Sequence, residues 1–126
     1  MRKSLKTFLA VVALLIAIPS MAQINEKPFV VPELREWKGA EGKFVPGENL
    51  RIAYPAKDEA LQKIAMQFAE DYRAMFNVEP EVVAGKGKKG DIVLSIKKDK
   101  KLNKEGYNVK IGDKIEITAP AKEGVF

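Results

Sequence analysis

The stretch "EGYNVKIGDKIEITAPAKEGVF", Glu105 to Phe126, decides how this chain is read. Apolar residues alternate on both sides of Gly112-Asp113, the signature of two strands joined by a tight loop. A two-residue turn at Gly112-Asp113 would set Val109 opposite Glu116. A three-residue loop, Gly112-Asp113-Lys114, instead faces Ile111 with Ile115, Val109 with Ile117 and Tyr107 with Ala119. A one-residue slip moves every side chain to the other face, so burial of one apolar face selects the three-residue loop. The stretch then closes on Gly124, Val125 and Phe126, two large apolar residues with nothing polar after them. Chain ends are usually polar enough to tolerate water and fraying. The expectation is therefore that Val125 and Phe126 pack against something that follows, and that this chain is the front of a larger protein.

Upstream, "DEALQKIAMQFAEDYRAMF" predicts an amphipathic helix over about residues 58–76. Leu61, Ile64, Ala65, Phe68, Tyr72, Met75 and Phe76 fall in steps of three and four on one stripe, expected to cover a sheet. Asp58 suits the N-cap, Glu59 the positive end of the helix dipole, and Asn77 with the approach to Pro80 stops the helix. "NLRIAYP" places Leu50, Ile52 and Tyr54 on one face of a strand, and "DIVLSIK" does the same for Ile92, Leu94 and Ile96. These two strands with the helix between them read as a strand–helix–strand unit, and "EPEVVAG" as a further short strand. Residues 23–32 read as a lead-in that becomes extended at Phe29–Val31, and weaker alternation surrounds Leu34 with Trp37 and resumes at Phe44-Val45. The fold class expected is α+β: a mixed sheet covered by one amphipathic helix.

The first 22 residues stand apart. Arg2, Lys3 and Lys6 precede an apolar run of 11 residues, Phe8 to Ile18, and Pro19-Ser20-Met21-Ala22 follow. That is the layout of a secretory signal peptide, with cleavage expected after Ala22 and a mature domain over 23–126. The run is far short of the roughly 20 apolar residues a membrane span needs, so no stable span is expected after cleavage. The protein is expected to be exported, to the periplasm or outside the cell. Without Arg2, Lys3 and Lys6, 19 basic residues face 17 acidic ones, a net charge of +2 rather than +5. Charge is thus a poor argument for nucleic acid, and none is expected as a partner.

The chain has no Cys and no His. That excludes a disulfide, a thiol nucleophile, a Cys/His zinc site and a Ser-His-Asp triad within these residues. Carboxylates, Lys and Tyr are what remains for catalysis. Glu70-Asp71 is an adjacent acidic pair, but it falls on the polar face of the helix, where solvated charge explains it. Eight lysines lie between Lys86 and Lys104. With no aromatic residue among them they read as solvated connections around a strand, and lysines there also discourage edge pairing. "GKGKKG", Gly85–Gly90, lacks the spacing of a phosphate loop and reads as a flexible turn. No catalytic, cofactor-binding or metal-ligating residue is assigned, and no cofactor is expected.

Glu105-Gly106-Tyr107-x-Val109, Ile115-x-Ile117-x-Ala119 and Gly124-Val125-Phe126 together resemble the end of the N-terminal domain of family-20 glycoside hydrolases, the β-N-acetylhexosaminidases. Val31-Pro32, the Gly42-Lys43-Phe44 strand, the strand–helix segment and Ile92–Ile96 extend the resemblance over about residues 30–126. Leu34 stands where the family often has a second proline, and Phe126 comes before the Tyr-Gly and the helix that follow in the family.

The resemblance implies a non-catalytic domain preceding a (β/α)8 barrel, where an adjacent Asp-Glu pair performs substrate-assisted cleavage of terminal N-acetylhexosamines. Neither carboxylate maps onto this chain. By itself it is expected to be inactive, with the barrel as its partner through Val125 and Phe126 and a glycan reaching the protein through that barrel. Two other readings stay open. Similar domains precede the barrels of O-GlcNAc-type hydrolases and α-glucuronidases, and a small exported protein could grip anionic glycans through its lysines.

Overall fold

The computed structural model describes residues 23–126; the segment read as a signal peptide lies outside them. Two compact units divide at Gly42. In the first, residues 23–42 carry neither helix nor strand. Asn25 organises this segment: its side-chain amide donates to the carbonyls of Ala40 and Gly42 at 2.7 and 2.8 Å, and its backbone N–H to Ala40 at 3.0 Å. The alternation at Leu34 with Trp37 forms no strand, and neither do Phe29–Val31 or, in the second unit, Phe44-Val45. Each of these stretches holds only two or three apolar residues, too few to bury a face.

The second unit, Lys43–Phe126, contains a five-stranded mixed sheet and two helices. In chain order the elements are β1 (Arg51–Tyr54), α1 (Glu59–Phe76), β2 (Glu81–Ala84), β3 (Asp91–Ile96), β4 (Asn108–Ile111), β5 (Ile115–Ala119) and α2 (Lys122–Val125). The strands lie in the order β2-β1-β3-β5-β4; all neighbours are parallel except β4 and β5. The α+β class expected from the sequence is the class observed.

Helix α1 forms where its caps dictate. The Asp58 carboxylate accepts from the Leu61 N–H at 3.0 Å, and Asn77 ends the helix in the left-handed region (φ 53°), its N–H donating to Arg73 at 2.8 Å. Leu61, Ala65 and Ala69 are buried against Ile52, Tyr54, Ile92 and Leu94, with Ile64 and Phe68 packed at the margin. The apolar stripe is only partly core: Met75 and Phe76 are exposed. Phe76 instead packs its ring on Tyr72 at 4.6 Å, and Tyr72 meets Phe68 edge-on at 6.3 Å.

The strand that the helix leads into is β2, paired to β1, rather than β3. β3 lies on the other side of β1 and is also parallel to it; the short strand expected at "EPEVVAG" is β2, which the strand–helix–strand unit of the sequence reading had left out. Both β1 and β2 point the same way as β3, so the connection from β2 must travel back along the sheet before β3 can start. "GKGKKG" makes that return. It is no loose turn: Gly87 lies so close to Val93 and Ala53 that a Cβ there would collide with the Val93 side chain. Ala53 and Val93 alternate with the core residues Ile52, Tyr54, Ile92 and Leu94, so the return crosses the face opposite α1.

Its far end is tied down. Buried Asp91 accepts from the Lys88 N–H at 2.8 Å and lies 3.7 Å from Arg51 Nε, its neighbour across β1 and β3. Gly90, at φ 87°, donates to the Asp113 carbonyl at 2.8 Å and accepts from Gly47 N–H at 3.2 Å.

Candidate functional site

The hairpin that opened the sequence reading takes the three-residue loop. Ile111 pairs with Ile115 and Val109 with Ile117, while Gly112 N–H donates to the Lys114 carbonyl at 2.9 Å. Ile115 and Ile117 pack against the core cluster that α1 helps to form, which fixes the face of β4 and β5 that carries Tyr107, Val109 and Ile111 as the helix side of the sheet. Yet α1 reaches only β1, β2 and β3 among the described strands. The consequence is an apolar half-face: Val109 and Ile111 are about half exposed, at 48% and 54%, and Tyr107 at the head of β4 is likewise exposed. Exposed apolar surface that is contiguous, rather than scattered, is the ordinary mark of an interface.

The chain approaches this face through a connection built by side-chain turns. Asp99 accepts from Lys101 N–H at 2.9 Å and from the Asn108 amide at 3.3 Å; Asn103 accepts from Glu105 N–H at 3.1 Å. These turns deliver Gly106 beneath α2. A Cβ on Gly124 would collide with the Gly106 carbonyl and stand 2.8 Å from the Ala119 Cβ. The Glu-Gly-Tyr and Gly-Val-Phe stretches, 18 residues apart, are thus two sides of one backbone contact (Gly106 to Gly124). Sequence reading saw both glycines and had no reason to join them; each gave only a local turn signal.

Val125 corrects an expectation. It is 8% exposed and belongs to the core with Leu61, Leu94 and Ala119, so its side chain is already partnered within this domain. Phe126 is different, at 86% exposed. It stands at the rim of an open depression of about 780 Å3 whose other walls are Glu59, Ala60, Lys63 and Ile64 of α1 together with Glu105, Lys122 and Glu123.

That depression mixes acidic and basic side chains over an apolar floor. Among the described residues no group of three or more His, Cys, Asp or Glu side chains could hold a metal ion. Glu70 and Asp71 are exposed on α1, where Asp71 accepts from the Gln67 amide at 3.0 Å. They are solvated helix charges. The eight lysines are not one patch either: Lys88 and Lys89 sit at the start of β3, while Lys97–Lys104 lie beyond its end, the end at which Lys86 lines a cleft with Ser95. A strand of that length separates them by roughly 15–20 Å.

The described residues thus assemble a mixed sheet under an amphipathic helix and a hairpin whose following turn is closed by the Gly106–Gly124 contact. The family model for glycosyl hydrolase family 20, domain 2, matches residues 27–126. The chain belongs to that family. Domain 2 of family 20 is a non-catalytic domain, and it normally sits with a catalytic domain in the same polypeptide. No curated protein matches the chain. No helix among the described residues is long and apolar enough to cross a membrane.

Proposed function

We propose that this family-20 domain is the N-terminal accessory domain of an exported β-N-acetylhexosaminidase, and that its task is to support the catalytic barrel of the same polypeptide. The observation that carries the reading is the family match over residues 27–126. The exposed half-face of Tyr107, Val109 and Ile111 supports it, since it leaves apolar surface for the remainder of the protein to cover. Phe126 is a second exposed apolar group, and Val125 holds the last turn on the core.

In the whole enzyme the barrel would remove terminal non-reducing N-acetylhexosamine residues. The acetamido oxygen of the substrate attacks the anomeric carbon, a Glu protonates the departing oxygen and the neighbouring Asp orients the acetamido group; water then opens the cyclic intermediate with net retention. None of these groups belongs to this chain, so residues 23–126 are expected to be inactive. Export rests on the layout of residues 1–22, and the mature protein should begin at Gln23.

The test is hydrolysis of an aryl N-acetylglucosaminide by purified residues 23–126. Release of chromophore at the rate of a buffer blank is expected; release above it overturns the accessory role. Terminal sequencing of protein recovered from the periplasm or medium checks export, and a mature chain still carrying Met1 would contradict it.

A further inference from the structure

We draw no further inference here: the strongest candidate beyond the interface already described, the shallow cleft of about 390 Å3 between Pro55, Lys86 and Ser95 at the carboxyl ends of β1, β2 and β3, is walled by apolar side chains and backbone, and no buried polar group among the described residues says what it would bind.

Discussion

Replacing Gly124 by alanine tests the contact that joins the two ends of the closing stretch. The added methyl would meet the Gly106 carbonyl and the Ala119 Cβ, both parts of rigid backbone or strand rather than the tip of a flexible side chain. Relief requires α2 to move off β5, and Val125, 8% exposed in the core, would be dragged with it. Overpacking of this kind costs about 1–3 kcal/mol. For a domain of this size each kcal/mol lowers Tm by roughly 4–8 °C, so a fall of about 8–16 °C corresponds to the middle of that range. Gly112→Ala is the control: it too adds one methyl to a glycine, but the space around it is open. Circular dichroism melts of the three proteins decide the matter. If Gly124→Ala melts within about 2 °C of the parent, the backbone contact is not what holds the last turn.

Five further substitutions probe separate parts of the account. Asp91→Ala removes the acceptor for Lys88 N–H and strands Arg51 beside an empty site, so it should cost about 3 kcal/mol in urea unfolding; an unchanged midpoint refutes the buried tie. Leu61→Ala empties a fully buried position and should cost about 2–5 kcal/mol, whereas Met75→Ala, at an exposed one, should stay within about 0.5 kcal/mol; equal effects would mean the helix packs differently. Asp58→Ala should remove about 1 kcal/mol by uncapping α1, checked by the same unfolding curves and contradicted by no change. Val109→Asp should leave the stability of this chain within about 0.5 kcal/mol and lower its binding of a hydrophobic dye; a large loss of stability would place Val109 inside the core.

How far the sequence could be read depended on whether a feature was local. The helix was legible because the spacing of Leu61, Ala65 and Phe68, the Asp58 cap and the Asn77 stop all lie within one stretch of chain. The hairpin register was legible for a similar reason: only one loop length puts Ile111, Val109, Ile115 and Ile117 on a common face. Strand order was not. Alternation in Arg51–Tyr54 or Glu81–Ala84 states which face is apolar and nothing about which strand lies alongside. The return of Gly85–Gly90 across the sheet follows from that order, so it could not be read before the order was known. Met75 and Phe76 show the same limit from the other side. They keep the helical spacing of core residues, but both are exposed.

The proposed interface was partly legible. Apolar Val125 and Phe126 drew attention from the sequence, and they turn out to do different things, one completing the core and the other facing solvent. The half-face on β4 had the opposite fate. Tyr107, Val109 and Ile111 read as core because they alternate correctly, yet all three are exposed: α1 meets β1, β2 and β3, and α2 meets β3 and β5, which leaves β4 without a helix over it. That kind of information lies in the number of strands one helix can cover, not in any residue of β4.

The central claim, a supporting domain of a family-20 hydrolase whose catalytic groups lie elsewhere in the polypeptide, is tested most directly by sequencing the coding frame beyond Phe126. The account predicts that the frame continues into Tyr-Gly, a helix and a (β/α)8 barrel carrying an adjacent Asp-Glu pair. An adjacent Asp-Asp pair would point to the O-GlcNAc-type hydrolases and contradict the hexosaminidase assignment. A stop codon directly after Phe126 would contradict the accessory role itself.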